Sequence, residues 1–223
     1  MSKWFERYLE KPISIVSENQ KVISINPLVN LEKPPLVCAF GPPGSGKTTF
    51  TTMITEMFPD SYYLDKSWTT RERQPRDIIY NYHYVSKEIF QELKKQNFFF
   101  ETTDVYGNFY GADKKFMNNP KIPIFTVDWK GVESFRNKLT THTPIVVFII
   151  PESEKILLDR NHQRNTHNRL SLLDSEMEKI KYSNYILITG NSVPYEPIRQ
   201  FHSTLLHSIL ELPSISGRYN FGP

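Results

Sequence analysis

Apolar residues along this chain fall in short blocks, and the blocks switch between two periods. Leu36-Val37-Cys38-Ala39-Phe40 is an unbroken run of strand length, and 122–127, 145–150 and 185–189 carry similar runs. Such runs predict strands buried on both faces. The segments between them, about 46–58, 131–139, 152–161, 167–182 and 195–211, mix apolar and polar positions at helical spacing. At about 86–96 the helical pattern has a wet face of Glu88, Gln91, Glu92, Lys94 and Lys95. Its dry face is Ile89, Phe90 and Leu93. Short strand-like pieces occupy 61–85, 98–102 and 108–110, with a helix at about 112–118. Strand and helix alternate, so the expected class is α/β, a parallel sheet wrapped by helices.

The two ends read differently from the middle. Ile13-Ser14-Ile15-Val16 and Lys21-Val22-Ile23-Ser24-Ile25, separated by Ser17-Glu18-Asn19-Gln20, read as a short hairpin. Pro34-Pro35 then divides this N-terminal extension, residues 1–35, from the first core strand. The tail 213–223 holds two glycines and two prolines beyond the last helix, a composition that favours fraying.

Composition narrows the picture only a little. The chain has 223 residues, enough for one α/β domain with a full core. The run Ile145–Ile150 is too short to span a bilayer, so no membrane partner is expected. The N-terminus has no apolar leader pattern, and the single cysteine, Cys38, lies in a buried-strand run. A reducing, cytoplasmic setting is expected. Net charge is +3 without a Lys/Arg block, too mild to argue for nucleic acid. The arginines instead gather as Arg71-Arg73-Arg76 and Arg160-Arg164-Arg169, which suits a small polyanion held from several sides.

The chemistry begins where the first buried run ends. Gly41-Pro42-Pro43-Gly44-Ser45-Gly46-Lys47-Thr48-Thr49 fits the phosphate-loop pattern Gly-x4-Gly-Lys-Thr, with a strand before it and a helix after. Glycines let backbone N–H groups approach phosphate oxygens, and the helix N-terminus adds positive potential. Lys47 then reaches the β- and γ-phosphates of a nucleoside triphosphate, and the Thr48 hydroxyl ligates Mg²⁺.

Further motifs follow in order: Ser67-Trp68-Thr69-Thr70-Arg71, Tyr82-His83-Tyr84, Phe99-Phe100-Glu101, Tyr106-Gly107-Asn108-Phe109-Tyr110-Gly111 and Val127-Asp128-Trp129-Lys130-Gly131. With the phosphate loop ahead of them, they make the chain resemble guanylate kinases over about residues 36–210. The resemblance implies a P-loop three-layer fold. Its core is a parallel five-stranded sheet over 36–60 and 120–212, with a small mixed-β monophosphate-binding subdomain at about 61–112. A short lid at about 160–170 completes it. The implied reaction is transfer of the γ-phosphoryl of ATP, carried with Mg²⁺, to GMP or dGMP.

The resemblance gives Arg71, Tyr82, Tyr110 and a second arginine, Arg76 or Arg73, to the acceptor phosphate. Planar guanidinium forks and phenolic donors suit that dianion. Guanine offers two donors, N1–H and the 2-amino group, beside the O6 acceptor. The resemblance gives Glu101 and Asp128 to the donors and Ser67 to O6. A carboxylate facing the acceptor N1 of adenine is left unpaired, so rejection can be large. On the lid, Arg160, Arg164 and Arg169 match arginines that neutralise the moving phosphoryl group.

Four features depart from the pattern. Ala112 stands where a hydroxyl residue is usual, and Thr126 and Lys130 replace the first Asp and the Gln of Asp-x-Asp-x-Gln-Gly. The lid between Arg164 and Arg169 is short. A kinase for another or modified monophosphate therefore stays open, and a monophosphate panel separates it. A non-catalytic guanylate-kinase-like interaction module is the alternative from another class, and intact Gly41, Gly46, Lys47 and Thr48 speak against it. Whether the chain works as a monomer or a homodimer is not written in these patterns.

Overall fold

The computed structural model describes residues 4–10, 19–28, 31–74, 77, 82–105, 107–163 and 173–210. In chain order the elements are β1 (Val22–Ser24), β2 (Pro35–Phe40), α1 (Lys47–Met57), β3 (Tyr62–Leu64), β4 (Ser67–Thr69) and β5 (Tyr82–Tyr84). Then come α2 (Lys87–Lys95), β6 (Phe99–Val105), β7 (Asn108–Asp113), β8 (Ile122–Thr126), α3 (Trp129–Lys138) and β9 (Thr143–Pro151). The chain continues through α4 (Glu154–Gln163), α5 (Leu173–Met177), β10 (Tyr185–Thr189) and α6 (Tyr195–Leu210). The helix expected at 112–118 is a 3-10 turn over Lys114–Asn118. The one expected at 167–182 is α5 followed by a 3-10 turn over Glu178–Tyr182, its first residues lying outside the described ones.

Strands β10, β9, β2, β8 and β3 run parallel in that order, the parallel sheet that the alternation predicts and the five-stranded core that the resemblance implies. Their period of two divides the apolar runs between the faces. Leu36, Cys38, Phe40, Val146, Phe148 and Ile150 enter the core on the α3 side, with Val132 and Phe135. Val37, Ala39, Ile145, Val147 and Ile149 pack on the other side against Phe50 and Ile54 of α1 and Phe201 and Leu205 of α6. Both faces are covered, which is why these strands read as continuous apolar runs. The chain leaves β2 for β3 on one side, and β9 lies on the other, so the carboxyl end of β2 opens into a crevice.

The N-terminal extension joins the main sheet. The sheet has a sixth strand: β1 pairs antiparallel with β10, Val22 opposite Leu187 and Ser24 opposite Tyr185. The second arm of the expected hairpin is thus an edge strand of the core, and 13–16 lie outside the described residues. Phe5, Ile23 and Leu31 are buried. The Trp4 indole N–H donates to Pro151 O at 2.9 Å, and Lys21 N–H donates to Gln200 Oε1 at 2.8 Å. The strand itself is legible in 21–25, but a pattern of period two does not say which distant strand it joins. Trp4→Phe removes the indole donor and should cost about 1 kcal/mol of stability. A urea midpoint unchanged from wild type would show that the N-terminal turn adds nothing.

A second, four-stranded sheet stands apart, ordered β5-β4-β7-β6. It is mixed: β4 and β5 run parallel, and β7 runs antiparallel to β4 and β6. Phe90 of α2 stacks on Phe99 at 4.5 Å, giving this sheet an aromatic core of its own. Phe100 instead stacks on Phe135 of α3 at 5.2 Å, tying β6 to the main core.

Candidate active site

Three glycines shape the loop after β2. At Gly41 φ is +145°, and a Cβ there would lie 2.3 Å from Ile149 O. At Gly44 φ is +81°, and a Cβ would lie 2.7 Å from Asn161 Nδ2. Only glycine fits both the torsions and the space. Buried Asn161 donates to Pro43 O at 2.8 Å, and Thr189 Oγ1 donates to Ser45 O at 3.2 Å, so α4 and β10 brace the loop from outside. Helix α1 starts after Gly46 with no side-chain cap and no acid in its first turn. Its first N–H groups are therefore left for an external acceptor, and anions suit that end. Lys47 Nζ donates to Gly41 O at 2.6 Å and Pro42 O at 3.0 Å, folded back over the loop.

A cavity of about 240 Å³ opens between the loop and the small sheet. Gly41, Pro43 and Lys47 line one side, and Ser67, Tyr82, Glu101, Tyr110 and Asp128 line it from the other elements. Residues that are far apart in sequence meet here because β4, β5, β6 and β7 form one sheet facing the crevice. Phe99 and Phe100 anchor in opposite cores, and Glu101 follows them into the cleft. Burial, and then the nearby Asp128 carboxylate, push the Glu101 carboxyl up to about 7. Asp128 caps α3, its Oδ1 accepting from Gly131 N–H at 2.8 Å.

Arg71 stands beside Tyr82, its guanidinium 5.4 Å from that ring's centroid. It pairs with Asp77, Nη2 to Oδ2 at 2.8 Å, and the same oxygen accepts from the Tyr84 hydroxyl and Gln74 N–H. Burial opposes ionisation of Asp77, yet these hydrogen bonds hold its carboxyl below the usual carboxylate range. Arg160 reaches across to the loop, donating to Gly44 O at 3.3 Å and Gly190 O at 2.6 Å. It lines a second cavity of about 280 Å³ with Gly46, Thr49 and Thr189. Arg76, Arg164 and Arg169 lie outside the described residues, and Arg73 is exposed.

Of the departures, Ala112 and Thr126 line the main cavity, while Lys130 is exposed on α3. Two further polar residues escaped the sequence reading. Thr103 lines the same cavity from β6, two positions after Glu101 and opposite Tyr110. Asp65, just after β3, is 5% exposed. Its Oδ1 accepts from the Tyr63 hydroxyl at 2.8 Å, and its Oδ2 has no hydrogen-bond partner. Burial pushes its carboxyl up to about 7 despite the Tyr63 hydrogen bond. An acid directly before Lys66 in a polar link carries no signal for burial.

Among the described residues no helix is long and apolar enough to cross a membrane. Residues 33–195 match the family model described as guanylate kinase. The guanylate kinase of Campylobacter jejuni strain RM1221 is 31% identical over 171 residues, covering 71% of this chain and 83% of that protein. The guanylate kinase of Bartonella quintana is 30% identical over 160 residues, covering 66% and 70%. The crystal structure of guanylate kinase from Anaplasma phagocytophilum superposes with a TM-score of 0.60 at 20% identity, over 81% of this chain and 89% of that one.

Proposed function

This chain belongs to the guanylate kinase family, and we propose that it moves the γ-phosphoryl of ATP onto GMP, and onto dGMP, in one in-line step. The observation that carries this is a single cavity shared by Gly41 and Lys47 of the phosphate loop and by Ser67, Glu101 and Asp128. A phosphate-binding loop and a set of acceptors and donors that suits guanine thus face one space. The division into a core, an acceptor subdomain at about 61–112 and a lid at about 160–170 belongs to the same proposal.

Lys47 and the N-terminal N–H groups of α1 hold the β- and γ-phosphates, with Pro42 to Thr49 wrapping them. The ATP base lies toward the second cavity, beside Gly46, Thr49 and Arg160. Arg71, Tyr82 and Tyr110, joined by Arg76, take the acceptor phosphate. Asp77 holds Arg71 in place until that stronger, dianionic partner arrives. Glu101 accepts from guanine N1–H and the 2-amino group, Asp128 adds its free oxygen, and Ser67 donates to O6. Arg160, Arg164 and Arg169 neutralise charge on the group in flight. No covalent intermediate is needed, since positioning and charge stabilisation supply the rate.

The residues present also fit Mg²⁺. Thr48 and Asp65, both hard oxygen donors, line one small cavity below the loop. When bound, Mg²⁺ would supply positive charge that offsets the charge of the phosphate oxygens. Thr48 is the residue that would hold it directly.

Turnover with ATP against GMP, dGMP, AMP, CMP and UMP tests the assignment, and comparable rates with AMP would overturn it. Thr103 adds a hydroxyl to a cavity that lost one at Ala112. Thr103→Val keeps the shape and removes the hydroxyl, so KM for GMP should rise about fivefold, or about 1 kcal/mol. An unchanged KM would leave Thr103 as wall alone.

A further inference from the structure

Position 126 is where the Asp-x-Asp-x-Gln-Gly pattern begins, and here it is threonine. In the fold Thr126 ends β8, the strand beside β2, and it lines the small cavity that also holds Thr48. The acid missing from β8 has a counterpart one strand away. β3 pairs with β8 as Tyr62 opposite Ile122 and Leu64 opposite Ile124, and Asp65 N–H extends the ladder by donating to Ile124 O at 3.1 Å. Asp65 therefore stands level with the end of β8.

Its surroundings are unusual for a structural acid. Asp65 shares a cavity of about 20 Å³ with Thr48, Thr51, Leu64, Ser67, Tyr82 and Thr126. That is room for one water among polar walls. Its Oδ2 is buried there without a partner, although buried polar atoms are nearly always hydrogen-bonded. The neighbours make the charge harder to explain. Thr48 faces the triphosphate, and Ser67 and Tyr82 face the acceptor nucleotide, so a carboxylate here lies between two phosphate groups. Like charges repel unless a cation stands among them.

We propose that Asp65 is the metal-anchoring acid of this chain, holding the hydration shell of the Mg²⁺ that Thr48 would ligate, from across the cavity that Thr126 also lines. Mg²⁺ suits this arrangement because it keeps several of its waters and meets protein through one or two carboxylates. The proposal rests on the chain being a MgATP-dependent kinase. The acid has in effect moved one strand across the sheet.

The test reads metal affinity directly. Mn²⁺ is titrated, by electron paramagnetic resonance, into wild type, Asp65→Asn and the double variant Asp65→Asn/Thr126→Asp, each saturated with a non-hydrolysable ATP analogue. Asp65→Asn should weaken Mn²⁺ about 10–100-fold, the range for removing an outer partner of a metal site. Its affinity for the analogue in EDTA should change less than twofold, and the double variant should recover most of the loss. Should the amide fail to fold, Asp65→Ser with and without Thr126→Asp asks the same question. Wild-type Mn²⁺ affinity in Asp65→Asn overturns the proposal alone, provided wild type binds metal and phosphorylates GMP. Equal weakening with and without metal, with no recovery in the double variant, also overturns it and leaves Asp65 a structural partner of Tyr63. A wild type that binds no metal–nucleotide complex would bring down the kinase assignment itself.

Discussion

Lys47→Ala should lower kcat for GMP phosphorylation about 10³-fold, or about 4 kcal/mol of barrier, while the thermal midpoint moves little. The size follows from what the ammonium does in each state. Without nucleotide it donates to the Gly41 and Pro42 carbonyls of its own loop. With nucleotide it faces phosphate oxygens whose charge shifts as the bond to the γ-phosphorus breaks. Its interaction is therefore strongest in the transition state, and losing it costs rate more than binding. The loop itself is braced by Asn161 and Thr189, so the fold should survive. Single-turnover rates and a melting curve decide the matter, and near-wild-type turnover in Lys47→Ala would sink the phosphate-loop assignment.

Glu101→Gln should lower kcat/KM for GMP about 10²-fold and leave the low AMP rate nearly unchanged. The amide replaces one carboxylate acceptor with a donor that confronts a guanine donor, at about 1–3 kcal/mol for each partner lost. A pH dependence follows from the same side chain. Its carboxyl is lifted from 4.5 to about 7 by burial and by Asp128. Below about pH 7 the free enzyme therefore holds Glu101 protonated, with one good acceptor instead of two. The profile of kcat/KM for GMP, which reports the free enzyme, should rise with pH through about 7. In Glu101→Gln that rise should vanish. Equal losses for GMP and AMP would mean that Glu101 does not read the base.

Most of what could be read from the sequence was local. Strand β2, the loop and α1 are contiguous, and their residue types are dictated by phosphate geometry, so a short window contains the signal. Glu101 was legible through its short motif, since Phe99-Phe100-Glu101 matches a segment that the family resemblance carries. Thr103 was not. The register of β6 shifts between Phe99 and Glu101, and a bulge of this kind breaks the alternation by which one assigns faces. Asp65 and β1 failed on distance: what makes each informative is a neighbour from another strand. The loop carrying Arg71 shows the reverse limit. Its arginine was legible, but the Asp77 that holds it was not, since a pairing six positions apart in an irregular segment has no periodic signature.

The antiparallel edge strand also has a bearing on how the chain is made. Trp4 meets Pro151 across 147 positions, and β1 waits for a strand that begins at Tyr185. During synthesis β1 leaves the ribosome well before the strand that it pairs with. Contacts closed over such lengths come late and slow the search for the native state. Strand β1 is therefore made early and secured late, since it can fasten to β10 only after Tyr185–Thr189 has emerged.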